Sequence, residues 1–315
     1  MSRDTSLYDL IQLADMLSSK MDVASASALD IGRGIAQQAR ANSRNFLKTD
    51  AGKRFGLACA GVALGAALVW LVRRIDFHVR LGGKYGPLFI YNVPTARGRW
   101  LRLMIVDGVC QSATYHGKAK YELPFEYYRA FDRAFETGAP IRKIAMLGGG
   151  GFCYPKHVLT RRSEVCMDVA EADFQTIRAA LDFFYVDELL EACPERLHIF
   201  EAEALDFLQN SEENYDLIIN DAFAGSCPDQ AMAQIEGVCT AKARLNQGGM
   251  YMANVVAYPC AHDYEDLAQA SVVLGEVFAH VWIVPSSDGE FSDEENYLVI
   301  ASDTDYVFPE SMQCQ

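Results

Sequence analysis

Ile144-Ala145-Met146-Leu147 is a short apolar run that ends in four glycines, Gly148, Gly149, Gly150 and Gly151, and Asp168 closes a second apolar run about 20 residues later. An apolar strand running into glycines, with a carboxylate at the end of the next strand, suits a nucleoside held at a strand-to-helix turn. Glycine permits positive φ and lets a ligand approach without meeting a Cβ, while the carboxylate can accept hydrogen bonds from a ribose diol. A tight turn that binds nothing is the bland alternative. A nicotinamide dinucleotide site is a further one, but Cys153 stands where the third glycine of GxGxxG belongs. Other chemistries find little support: there is no HExxH, no metal-ligand spacing and no GxSxG nucleophile turn. The sequence therefore predicts an enzyme that works without a metal.

The elements around these residues alternate. Strand patterns at 143–149, 164–169, 197–202, 215–220, 249–256, 280–284 and 297–301 are separated by helical patterns at 155–162, 171–184, 204–210, 229–244 and 263–278. That alternation predicts an α/β domain: a Rossmann-like, seven-stranded, mostly parallel sheet over 121–305, with the last two strands paired antiparallel and a tail at 306–315. Before it, 76–120 reads as a small antiparallel β domain whose Asp107-Gly108 is a hairpin turn. A helix is expected from Tyr121 to Glu136.

Four stretches, in order, resemble the spermidine synthase (aminopropyltransferase) family of the class I S-adenosylmethionine-dependent methyltransferase fold: Ile105-Val106-Asp107-Gly108-Val109-Cys110-Gln111, Leu147 to Gly150, Asp168, and Tyr215-Asp216-Leu217-Ile218-Ile219-Asn220-Asp221. The resemblance covers about residues 76 to 302. It implies a transferase that moves an aminopropyl group, or a methyl group, to an amine. S-adenosylmethionine or its decarboxylated form would be the co-substrate, bound by Gly148, Gly149, Gly150, Asp168, Glu203 and Gln111. Asp221 would be the catalytic carboxylate that faces the attacking amine, and Glu122 and Asp221 would bind the substrate. A carboxylate there makes chemical sense, because an alkylamine with a pKa near ~10.4 is mostly protonated at neutral pH and must lose a proton to attack.

The chain also departs from the family's spelling. Ala224 replaces the second acid of the family's "DSSDP", and Gly151 stands where its glycine loop carries an Asp. An acidic run, Asp288, Glu290, Asp293, Glu294 and Glu295, offers either a solvated loop or a rim that attracts cations. A scaffold that keeps the fold without catalysis, and a methyltransferase with a non-polyamine acceptor, stand as the alternatives.

Composition bounds the partners. The formal net charge is −14, yet residues 1–84 carry +5, so the rest of the chain is strongly acidic and a poor match for nucleic acid. Residues 1–54 read as a basic helical tail. Residues 55–72 hold no charge or proline and lie between Lys53-Arg54 and Arg73-Arg74, which predicts a single membrane helix; a buried helix is the alternative. Gly61 and Gly65 give it the small-residue spacing that favours a close pair of helices, and with the family's habit this suggests a homodimer. Nine cysteines without CxxC pairs favour a reducing compartment. The expected location is thus the membrane with the catalytic part in the cytoplasm, or a soluble cytoplasmic protein if 55–72 is a buried helix.

Overall fold

The computed structural model describes residues 76–95, 97–224, 227–257, 264–286, 295–309 and 311–314, and Gly65, which is helical. The chain divides into two units, Met1–Asp76 and Phe77–Gln315. The helical tail at 1–54 lies outside the described residues, as does the 55–72 segment apart from Gly65. Among the described residues no helix is long and apolar enough to cross a membrane.

The second unit begins with a four-stranded antiparallel sheet, β1 (His78–Gly83), β2 (Gly86–Pro94), β3 (Trp100–Val106) and β4 (Val109–Tyr115), in that spatial order. Asp107 and Gly108 join β3 to β4 with φ of 51° and 78°. Positive φ at both centres is the turn geometry whose twist matches that of paired strands, which is why Asp-Gly marks it in the sequence. Where one helix was expected from Tyr121 to Glu136, two single turns form, α1 (Tyr127–Ala130) and α2 (Arg133–Glu136). Pro124 lies in the bend before them, and in α1 the rings of Tyr127 and Tyr128 meet at a tilt with centroids 4.2 Å apart.

The main sheet has eight strands in the order β14-β12-β13-β11-β8-β5-β6-β7. Strands β5 (Lys143–Leu147), β6 (Cys166–Glu171), β7 (Leu197–Glu201), β8 (Tyr215–Asn220) and β11 (Leu245–Ala257) run parallel. β13 (Glu295–Ser302) inserts antiparallel between β11 and β12 (His280–Pro285). All seven expected strands are present, and β9 (Phe223–Ala224) and β10 (Cys227–Pro228) pair antiparallel in a separate two-stranded sheet. The eighth, β14 (Met312–Cys314), comes from the stretch expected to be a tail and pairs with the edge of β12. A three-residue strand carries too little periodicity to be seen in sequence.

Helices α3 (Cys153–Arg161), α4 (Phe174–Phe183), α5 (Val186–Ala192), α6 (Ala204–Asn210), α7 (Ile235–Ala243) and α8 (Glu265–Val277) cover the sheet. One apolar core joins the small sheet to the main one, with Leu88, Ile90, Leu101 and Met104 packed in the same cluster as Phe131, Phe152, Tyr154 and Phe184. A second core lies under α6, α7 and α8 and includes Phe207, Val238, Tyr251 and Leu274. β5 sits between β6 and β8, so the chain leaves its carboxyl end toward one side and returns from β8 on the other. That reversal of strand order is where open α/β sheets bind ligands.

Candidate active site

A cleft of about 690 Å³, open mouth included, lies at this reversal. Its wall carries Gly148, Gly149 and Gly150 after β5, Glu171 and Ala172 at the end of β6, Glu203 before α6, Asp221 and Ala222 after β8, and Gln111, Tyr85, Tyr128, Thr176 and Asp229 from the rim. Six of the residues singled out in the sequence thus converge: Gln111, the three glycines, Glu203 and Asp221.

The glycine loop is shaped by its neighbours. Gly148 has φ of +89°, and a Cβ on it would lie 2.2 Å from the backbone oxygen of Asp221. The Asp221 N–H donates to the Leu147 carbonyl at 2.8 Å, so the ends of β5 and β8 are pinned together. Gly151 has no room for a side chain either, since a Cβ would lie 2.6 Å from Ser112 Oγ and 2.7 Å from the Phe184 ring. The acid that the family spelling led one to expect there has no space.

Glu171 organises the loop. Its Oε2 accepts the Gly149 N–H at 3.0 Å and the Gly150 N–H at 2.9 Å, and its Oε1 accepts the Asp173 N–H at 3.0 Å. Burial pushes its pKa up against these three hydrogen bonds, which favour the carboxylate. Asp173 in turn caps α4 by accepting the Gln175 N–H at 2.9 Å.

Asp168 is therefore a correction. It is 3 % exposed and lies mid-strand, where its oxygens meet Tyr215 Oη at 3.0 Å and His198 Nδ1 at 2.7 Å, with Lys143 Nζ at 3.6 Å. Lys143, His198 and Tyr215 stand at the first or second residue of β5, β7 and β8, the end of the sheet away from the cleft. The acid at the ligand end of β6 is Glu171, three residues on. The sequence signal was present: an apolar Val169-Ala170 continues the strand to Glu171, and Asp173 marks the next helix start.

Glu122 is also misplaced by sequence reasoning. Arg99 Nη1 holds its Oε2 at 2.6 Å on the surface, and it is not part of the cleft wall. Tyr128 from the same segment reaches the wall instead. Glu203 does line the cleft, ion-paired with Lys84 of the β1–β2 turn. Of the acidic run, 287–294 lies outside the described residues; Glu295 accepts from Tyr297 Oη at 2.7 Å.

Asp221 is a buried carboxyl in the cleft wall. Burial raises its pKa to about 7, although Asn254 and Tyr127 hydrogen-bond it and oppose the rise, and the Glu171 charge adds to it. Asn254 Nδ2 donates to Asp221 Oδ1 at 2.8 Å. Near neutral pH this group can exist in either protonation state, which is what a proton acceptor in group transfer needs. Tyr127 and Tyr128 have pKa values pushed well above the phenol norm by burial and stay neutral donors.

No protein-family model matches the sequence. A probable spermidine synthase from Corynebacterium glutamicum superposes with a TM-score of 0.60 at 22% identity, covering 73% of this chain and 81% of that one. The chain has the spermidine synthase fold. A spermidine synthase in complex with the transition state analogue AdoDATO shares the fold with a TM-score of 0.58 at 18% identity, covering 72% of this chain and 73% of that one. The polyamine aminopropyltransferase of Lachnospira eligens is 30% identical over 82 residues, which is 26% of this chain and 28% of the relative's own length. The small β1–β4 sheet and the main sheet share one core, and the cleft is lined from both.

Proposed function

We propose that the chain is a spermidine synthase-like transferase that moves an aminopropyl group from decarboxylated S-adenosylmethionine to an amine. The observation that carries this reading is the pairing of two buried carboxyls across one glycine loop: Glu171 holds the loop's N–H groups, and Asp221, poised near neutrality, faces the same cleft.

Glu171 would bind the ribose hydroxyls, with Gly148 to Gly150 passing under the remainder of the donor and Glu203 at the adenine side. The donor supplies a carbon activated by its bond to a positively charged sulfur. Asp221 would bind the incoming ammonium, orient it and take its proton as the amine nitrogen bonds to that carbon and the carbon–sulfur bond breaks, the electron pair leaving with sulfur as neutral methylthioadenosine. Tyr128 and Gln111 close the wall beside it. The fold of AdoDATO-bound spermidine synthase supports the donor class, and the partial match to an aminopropyltransferase supports the reaction class. Methyl transfer from S-adenosylmethionine in the same cleft is the neighbouring possibility, and the acceptor would be an amine in either case. Assembly as a homodimer and attachment to a membrane through 55–72 belong to the same proposal.

Calorimetry with decarboxylated S-adenosylmethionine, S-adenosylmethionine and methylthioadenosine tests the donor. The decarboxylated form and methylthioadenosine should bind, and both should weaken at least ~10-fold in Glu171→Gln, which loses a charge-assisted bond. Absence of binding by all three would remove the basis for a transferase.

A further inference from the structure

Asp221 does not meet its hydrogen-bond donor alone. Asn254, on β11, gives its Nδ2–H to Asp221 Oδ1 at 2.8 Å, and its Oδ1 accepts the Asn296 Nδ2–H of β13 at 2.9 Å. Asn296 is fixed through its backbone: its carbonyl accepts both the Ser286 N–H at 2.8 Å and Ser286 Oγ–H at 3.1 Å. Neither asparagine belongs to the cleft wall that Asp221 lines. An amide has one donor end and one acceptor end. With Asn296 donating to its oxygen, Asn254 can present only N–H to the carboxylate, because the reversed amide would set its oxygen against Asp221 and its NH₂ against that of Asn296.

From this geometry we infer that Asn254 is a positioning residue for Asp221, locked in its donating orientation by Asn296, and that the pair holds Asp221 available as a carboxylate. The inference deepens the proposed function and rests on it only for the consequence in catalysis. The relay runs across three adjacent strands, β8, β11 and β13, so the acid on the parallel part of the sheet is oriented by the reversed strand. That gives β13 a task in the site although none of its residues is in the cleft wall.

The other groups facing Asp221 act independently of the relay. Tyr127 of α1 donates to it, Tyr128 lies beside it, and the Glu171 charge at the end of β6 opposes its ionisation. Glu203 and Asp229 add two more carboxylates to the same cleft. Removing the Asn254 donor leaves burial and these negative charges with less opposition, so the Asp221 pKa must rise.

The test is a ¹³C-carboxyl NMR titration of Asp221 in the full chain, for wild type, Asn254→Leu, Asn296→Leu and the double variant. Asn254→Leu should move the Asp221 midpoint up by about one pH unit or more. Asn296→Leu should move it the same way by less, since it only frees the Asn254 amide to turn. The double variant should match Asn254→Leu alone, because both changes act through one path. An unmoved midpoint in Asn254→Leu, or a double shift equal to the sum of the two, overturns the inference. Should Asn254→Leu not fold, Asn296→Leu carries the test: a rise in its midpoint sustains the relay and none overturns it. In a transfer assay the acid limb of kcat should follow the midpoint while the donor KM stays within about twofold; a uniform loss at every pH would mean a structural role only. The titration needs no turnover, so a moved midpoint without product from any amine overturns the functional reading and leaves the relay standing.

Discussion

Asp221 destabilises the fold that contains it. Its folded pKa, about 7, lies above the ordinary 3.8, so the native state binds a proton that the unfolded chain has already lost between those values. Stability must therefore fall as pH rises from about 4 to about 7 and then level off. Three units correspond to roughly 4 kcal/mol. Asp221→Asn is expected to stabilise the chain at pH 8 by about 2–4 kcal/mol, a gain that fades toward pH 4, as thermal melts across pH will register. The same change should cost about 10²–10⁴-fold in transfer rate, and the wild-type rate should climb through pH about 7 as the carboxyl ionises. Glu171 and Asp168 separate cleanly by experiment. Asp168→Asn should lower stability by about 1–3 kcal/mol, because Tyr215 and His198 lose a charged partner, while leaving donor affinity within about twofold in calorimetry. Glu171→Gln should do the reverse to affinity.

The glycine loop is the element on which the site depends, and its tolerance is one-sided. Gly148→Ala must move either its own positive-φ backbone or Asp221, and is expected to lose at least about 2 kcal/mol in denaturant unfolding. Gly151→Asp, which would restore the family's spelling, should be as damaging, since its side chain would enter Ser112 and Phe184. Much of this level was legible in the sequence. Each strand of the parallel core announced itself by apolar runs, and the Asp107-Gly108 turn by chemistry that few residues share. Two things were not legible, for physical reasons. A carboxylate three residues from a strand end looks like one at the end when the strand's limit is set two residues short, and Asp168 and Glu171 differ only in which end of the sheet they serve. Glu122 lay in a segment whose backbone folds into single turns, so the side chain that reaches the cleft is the aromatic Tyr128, which carries no charge to attract notice.

Across the whole molecule the charge is divided: a basic stretch over 1–84 precedes a strongly acidic remainder. Glu171, Glu203, Asp221 and Asp229 bring that acidity to a cleft with low-dielectric walls, where fields are focused onto an entering cation. The acceptor KM should accordingly rise severalfold between low salt and about 0.5 M salt, while the affinity for uncharged methylthioadenosine changes little. The sheet order places the glycine loop and Asp221 on either side of the β5–β8 reversal, and the proposed transfer rests on that arrangement. Mass spectrometry of the products formed from decarboxylated S-adenosylmethionine with a panel of amines, for wild type and Asp221→Asn side by side, tests this most directly. An amine gaining an aminopropyl group with wild type, and at least about 100-fold less of it with Asp221→Asn, is the predicted result; equal product from both proteins, or none from wild type with any amine, would contradict it.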